Sequence, residues 1–343
     1  MWFTKRTKPV SGFTSTGNVL GGTVEIPITR EFPVEALFVQ LSFTVGTAMA
    51  TANADSIQNI LKSVDLQVFD GVKPRSVVKC SGPALLEYQV QTWFNLDRVT
   101  AANVNTNTAA AKTLTYVIPC SHPQLSDPLG SALLLPVHLM PSNPTLTLQL
   151  ASQADMDTNA TPTFALTGTI TVTCWVARRQ VSVVKWPYLE WDLMENIQPF
   201  PQTVTEFQIE MPTPGSITGH LMRCYTGVAT RGDIQTALSP WRIESLGVVF
   251  RQWLNTQLQV ENDLSRAADN ASPNFVASFY NDFLTDKTGM ETGDFGSVLD
   301  ANVPVTSGAR IYLVTSVTGG AGVQMKMLTH RVYGDLSRLK FVR

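Results

Sequence analysis

The chain has 343 residues, enough for two domains of ordinary size, each able to bury its own core. Charged residues make up only 15%, against roughly 25% in a typical globular chain, and the formal net charge is −2. There is thus no global attraction for polyanions, and uncharged groups cover much of the surface, as suits extensive contact with other copies.

The first twenty-three residues have little core-forming pattern. They carry Lys5, Arg6 and Lys8, no acid, and no apolar h-region of a secretory signal. From there strand signals dominate. Segments 24–28, 36–45, 64–69, 114–118, 146–150 and 170–176 are short, rich in β-branched or apolar residues, and mostly alternate with period two. Gly, Pro, Asn and Ser clusters separate them, such as Asp70-Gly71 and Ser142-Asn143-Pro144. The second half continues at 205–211, 217–225, 246–250, 257–260, 310–315 and 323–329. Helical periods are few: 83–94, with Leu85, Leu86, Val90 and Trp93, and 274–284, with Phe275, Phe279 and Phe283. No apolar run reaches the 18 residues of a membrane-spanning helix.

The second half loosely repeats the first, about half a chain apart. Val64, Leu66 and Val68 alternate in the segment 63–71 as Leu246, Val248 and Phe250 do in 244–252. Upstream, the stretch from Pro33 matches that from Pro214. Downstream, 146–150 matches 311–315, and closing strands follow at 170–176 and 323–328. A repeat this long is a duplicated domain, not a solenoid unit. The boundaries read as a basic arm over 1–23, a first β domain over 24–180, an ordered connector over 181–203, a second β domain over 204–333 and a basic tail over 334–343. The connector holds Trp186, Pro187, Tyr188, Trp191, Pro199 and Pro201, which limit its freedom and pin it. Two loops are long: the polar stretch 100–112 and the Gly/Thr-rich stretch 285–308. Phe250→Ala is accordingly expected to cost about 3–5 kcal/mol as a core truncation, and replacing Asn105 or Asn107 less than about 0.5 kcal/mol.

Chemistry-bearing patterns are sparse. Cys80, Cys120, Cys174 and Cys224 form no CxxC or Cys/His cluster and read as buried free thiols. The histidines His122, His138, His220 and His330 are dispersed; Cys120 and His122 share one turn, where nucleophile–base geometry is rarely achieved. Asp155 and Asp157 lack the Gly and distal Glu of a calcium loop and read as a solvated hairpin. Gly319-Gly320-Ala321-Gly322 is a turn, not a phosphate cradle. Asn159-Ala160-Thr161 and Asn270-Ala271-Ser272 fit a glycan sequon, but Pro follows each and no export signal supports them. The expectation is a protein with no catalytic turnover, metal or organic cofactor. Both chain ends are basic: Lys5, Arg6 and Lys8 at one, and Arg338, Lys340 and Arg343 at the other, where Arg331 adds a fourth cation against Asp335. They read either as solvated ends or as contacts with a phosphate-rich layer, nucleic acid or anionic lipid.

Duplication, about eight short strands per half, long loops and no catalytic cluster together resemble the double jelly-roll major capsid proteins. These belong to tailless icosahedral viruses, many with an internal membrane and bacteriophages among them. The resemblance runs from about Val24 to Tyr333 and rests on architecture, since the family has no short signature. It implies an all-β fold of two tandem jelly-roll sandwiches with a few short helices. It also implies a homotrimer of six upright jelly rolls, a pseudo-hexagonal capsomer, made in the host cytoplasm and built into the virion. Its partners are other copies of itself, neighbouring capsomers, minor capsid or vertex proteins, and an internal membrane or packaged genome at the inner face, with no small-molecule substrate. Loops form the outer face, and Lys5, Arg6, Lys8, Arg338, Lys340 and Arg343 lie at the base. The rival reading is a two-jelly-roll carbohydrate-active enzyme or lectin, which Trp186, Trp191, Trp241 and Trp253 keep open.

Overall fold

The computed structural model describes residues 4–6, 10–69, 71, 73–92, 107–121, 133–181, 190–210, 216–227, 230–231, 241–245, 248–253, 276–278 and 312–333. It divides into two compact units, Met1–Glu190 and Trp191–Arg343. Among the described residues no helix is long and apolar enough to cross a membrane.

The first unit contains β1 (Thr4–Arg6), β2 (Val10–Asn18), β3 (Thr23–Pro27), β4 (Val34–Thr47), β5 (Leu61–Phe69), β6 (Pro74–Cys80), helix α1 (Gly82–Thr92), β7 (Ala111–Pro119), β8 (Thr145–Leu150), helix α2 (Gln153–Met156), β9 (Ala165–Leu166) and β10 (Ile170–Val181). The second contains β11 (Glu190–Pro199), β12 (Val204–Glu210), β13 (Ser216–Gly227), β14 (Thr230–Arg231), β15 (Trp241–Ser245), β16 (Val248–Trp253), β17 (Val276–Ser278), β18 (Tyr312–Val317) and β19 (Gln324–Tyr333).

Pairing within each unit follows one plan. In the first, one four-stranded sheet runs β2-β10-β4-β7 and the other β3-β8-β5-β6. In the second, the orders are β11-β19-β13-β17 and β12-β18-β15-β16. Neighbouring strands run antiparallel, as between β2 and β10, β10 and β4, β5 and β8, β13 and β19, and β15 and β18. Taken in chain order, the eight strands of one unit occupy the same sheet positions as the eight of the other. That is jelly-roll connectivity, repeated.

Period-two alternation explains which face each strand buries. Val64, Leu66 and Val68 of β5 are buried, and so are their cross-strand neighbours Leu146 and Leu148 on β8 and Val24 and Ile26 on β3. On the other sheet, Leu37, Val39 and Leu41 of β4 are buried together with Val172, Cys174 and Val176 of β10. Each such aliphatic side chain contributes about 1.5–3 kcal/mol by leaving water. Gly71, with φ of 98°, makes the turn between β5 and β6 in a conformation that glycine adopts without strain. In the second unit, Met325 and Met327 of β19 are buried, as is Cys224, the partner of Met325 on β13.

Several expectations are corrected. Residues 10–18 are not part of a loose arm: they form β2, because Val10, Phe13 and Ser15 find partners along β10. The connector is shorter than 181–203, since Glu190–Pro199 is the first strand of the second jelly roll. The segment 244–252 is not one strand matching β5. Glu244 pairs with Val249 and Ser245 with Val248, so the chain reverses between β15 and β16. The duplication is real at the level of pairing, while the residue-level match placed at Leu246, Val248 and Phe250 straddles a hairpin. The helix expected over 274–284 contains a strand at Val276–Ser278. The helix expected over 83–94 is present as α1, and the strand expected over 257–260 lies outside the described residues.

The loop 100–112 also ends earlier than expected, because Ala111 and Lys112 open β7. Asn107 is no spectator there. Its Oδ1 accepts the N–H of Met49 at 2.8 Å and its Nδ2 donates to the carbonyl of Met49 at 2.7 Å. Asn107→Ala leaves both groups of a buried residue without these partners. We expect a loss of about 1–3 kcal/mol in chemical denaturation, well above the near-neutral effect that sequence alone gave.

Candidate assembly surface

The two ends of the first unit differ in chemistry. At the end where β4 begins, three arginines fix the segment 27–35. The Arg30 guanidinium donates to the carbonyls of Met140 and Pro141 at 2.6 and 2.9 Å. Arg178 donates to the carbonyls of Phe32 and Thr29, and to Thr29 Oγ1, at 2.8–2.9 Å. Arg179 pairs with Glu35 at 3.0 Å, both side chains under 10% exposed. Burial depresses the Arg178 pKa and the nearby Glu31 carboxylate opposes that shift. Short strand β1 lies at this same end, with Lys5 opposite Gln180 and Arg6 opposite Arg179. Adjacent arginines in an otherwise uncharged strand, at 178–179, were the available sequence sign of carboxylate and carbonyl partners.

At the opposite end, loops are tied together by one carboxylate. Asp157 is buried and accepts the backbone N–H groups of Ala50, Thr51, Asn159 and Thr163 at 2.9–3.1 Å, plus the Thr163 hydroxyl. Burial alone would raise its pKa, but these donors outweigh it and hold the carboxyl well below the usual range. Asp155 closes a capping box with Ser152 at the start of α2 and pairs with Lys62 at 2.9 Å. Neither aspartate is the solvated hairpin carboxylate expected from sequence. They are structural ties, and the residues they hold out to solvent (Ala50, Thr51, Asn159, Ala160 and Thr161) are small and uncharged.

The remaining chemical candidates are dispersed. Burial, reinforced by Cys174, pushes the Cys120 thiol far above its normal pKa, and burial pushes Cys174 up to about 12, so both stay protonated and poorly nucleophilic. His122 lies outside the described residues. His138 sits on a short 3-10 turn, His220 lies on β13 opposite Thr329, and His330 is buried on β19. The His330 ring lies against Trp191, centroids 5.8 Å apart and planes tilted by 30°, and Trp191 is itself buried, so it is no exposed sugar platform. Trp241 and Trp253 are paired across the β15–β16 hairpin, and Trp186 lies outside the described residues. Among the described residues no three His, Cys, Asp or Glu side chains gather as a metal set. Gly319–Gly322 is the turn joining β18 to β19, with Gly319 N–H donating to Thr203 Oγ1. Of the six basic residues singled out, Lys5 and Arg6 lie on β1, while Lys8, Arg338, Lys340 and Arg343 lie outside the described residues.

No family model and no curated protein matches the sequence. Solved structures do. The chain is similar to the STIV MCP with a TM-score of 0.63 and 13% identity, covering 100% of both chains. It is similar to the PBCV-1 virus capsid chain with a TM-score of 0.62 and 14% identity, over 97% of this chain and 94% of that one. It is also similar to the major capsid protein of bacteriophage PM2, with a TM-score of 0.53 and 10% identity over 94% and 99%. At such identities the likeness establishes the fold. The protein is a double jelly roll.

Proposed function

We infer that this chain is a major capsid protein, the repeated structural subunit of an icosahedral viral shell. One observation carries the reading: the duplicated eight-strand plan matches three capsid proteins over at least 94% of every chain compared. The chemistry is consistent with it. Arg178, Arg179, Glu35 and Asp157 of the first unit are engaged in fixing its loops, and low overall charge leaves surface fit for burial against other copies.

The subunit is a homotrimer whose six jelly rolls form a pseudo-hexagonal capsomer, with neighbouring capsomers and minor or vertex proteins as partners. The arginine-rich end of the first unit, with Lys5 and Arg6 beside it, faces the particle interior together with Lys8, Arg338, Lys340 and Arg343. There they meet lipid headgroups or packaged genome. The Asp157-tied end, whose loops present small uncharged residues such as Ala50, Thr51 and Ala160 to solvent, faces outward. Removing residues 1–10 would also remove β1 and the start of β2, so charge is the proper variable to test. The triple substitution Lys5→Gln, Arg6→Gln, Lys8→Gln should leave the fold intact and weaken binding to anionic vesicles or nucleic acid, each with a salt dependence that identifies the partner.

Sedimentation and negative-stain imaging of the purified protein test the central reading. The expected result is a trimer near three times the chain mass that assembles further into shells or hexagonal sheets. A stable monomer with glycan-hydrolysing activity would refute it.

A further inference from the structure

Open sheet edges invite strand addition, and proteins commonly blunt them with charges or proline. Among the described outer strands, β3 carries Glu25 and Pro27, β6 carries Pro74, Arg75 and Lys79, β7 carries Lys112 and Pro119, β11 carries Glu190 and Pro199, and β12 carries Glu206 and Glu210. Strand β17 has only three residues. Strand β2 differs. Its nine residues, Val-Ser-Gly-Phe-Thr-Ser-Thr-Gly-Asn, include no charge and no proline. It pairs with β10 on one side, and among the described residues nothing pairs with the other. Val10 is 67% exposed, and Thr14 and Thr16 are exposed as well. Strand β16, Val-Val-Phe-Arg-Gln-Trp, is the other weakly defended edge: it pairs with β15 alone among the described strands, has one charge, and leaves Val249 46% exposed.

We propose that β2 of one copy pairs, edge to edge, with β16 of the next copy, and that this contact closes the homo-oligomer. The inference rests on the shell-subunit reading, which supplies the threefold ring. A ring of that order needs a heterologous contact, because β2 against β2 would close as a twofold dimer. The occupant of the β2 edge is therefore a different strand of a second copy. Elimination among the described edges leaves β16, the remaining one longer than three residues with no proline and a single cation. The uncharged β2 edge opposes that cation with no like charge, and neither strand attracts a charged foreign partner. Backbone N–H and C=O groups left open on both strands become satisfied, and Val10 and Val249 leave water.

The test places lysines on the edge. Thr14→Lys with Thr16→Lys should leave circular dichroism and melting unchanged, since both side chains are exposed, and should weaken self-association at least about tenfold by sedimentation. Thr14→Lys with Val249→Glu should recover part of that loss, and Val249→Glu alone should not. An independent arm needs no stability comparison. Thr14→Cys with Val249→Cys, treated with a short bis-maleimide, should give covalent trimers, because the native cysteines Cys80, Cys120, Cys174 and Cys224 are buried. If wild type is a trimer and trimers survive the lysine pair, or Thr14→Cys with Val249→Cys gives no inter-copy cross-link, the edge contact is overturned and the shell reading stands. Dimers cross-linked through Thr14→Cys alone would show β2 pairing with itself and also overturn it. A wild type that stays monomeric overturns the shell reading and this contact with it.

Discussion

Replacing Arg179 with Met is expected to destabilise the first unit by about 3–5 kcal/mol, the loss seen when one partner of a buried ion pair is removed. The side chains of Arg179 and Glu35 are 9% and 6% exposed and meet at 3.0 Å. With the guanidinium gone, Glu35 becomes a buried carboxylate deprived of this cation, beside a strand junction it helps define. The Glu35 carbonyl accepts the N–H of Cys120 at 2.9 Å and the Ser121 hydroxyl at 3.3 Å, so the strain spreads to the end of β7. Removing both charges, as Arg179→Met with Glu35→Leu, should restore most of the loss, because hydrophobic replacement of a buried pair is often neutral. Urea denaturation of the three variants reads both effects. A single-variant loss under about 1 kcal/mol would mean that the pair is hydrated and structurally idle.

Acid should loosen the second unit before the first. Burial lowers the pKa of His330 from its ordinary 6.5 to about 4, against the opposing pull of the Asp192 carboxylate. The folded state thus favours the neutral ring, while the unfolded chain protonates near 6.5. This contribution is complete above about pH 6.5 and is lost as pH falls through about 4. The loss amounts to about 3 kcal/mol. His330→Phe, which keeps a ring against Trp191, should flatten that part of the pH profile. In the first unit burial lowers the pKa of half-buried His138 too, by a smaller shift, while for Asp155 and Asp157 hydrogen bonds outweigh burial and hold the carboxyl groups below the ordinary value. Their contributions are present above about pH 4 and fade only below it. Tryptophan fluorescence and hydrogen exchange between pH 7 and 3 should show the order, second unit first. Equal stability of wild type and His330→Phe at pH 4.5 and 7.5 would remove the basis for it.

Period-two alternation was legible because it needs no partner. Val64, Leu66 and Val68 read as one buried face from sequence, and so they are. Helix α1 was legible too, since Gly82-Pro83 and the apolar spacing after it are local signals. The all-β class and the duplication followed from such local patterns repeated along the chain. Residue-level equivalence did not follow. Glu244 to Gln252 has the alternation of a strand on paper, yet reverses on itself, because register is settled by which backbone groups find partners and not by side-chain order alone. Strand β2 was missed for the same reason. Gly12, Gly17 and a run of Ser and Thr carry weak strand preference, and β10 supplies the ladder that fixes them.

The polar residues divide in the same way. Sequence read Asp157 and Asn107 as solvated loop groups and assigned no partner to Glu35 or Arg179, since residues of these types are usually exposed. Tertiary structure decided otherwise: Asp157 gathers four backbone N–H groups, Asn107 grips Met49, and Arg179 meets Glu35 across 144 positions of chain. Such partners come together only when the sheets close, and a buried polar group is stable only where its partner arrives with it. The sequence by itself determined the all-β class and which face of strands such as β5 would be buried, because alternation is local; the closing of the sheets decided strand pairing and which charges went inside, because both depend on partners far away in the chain.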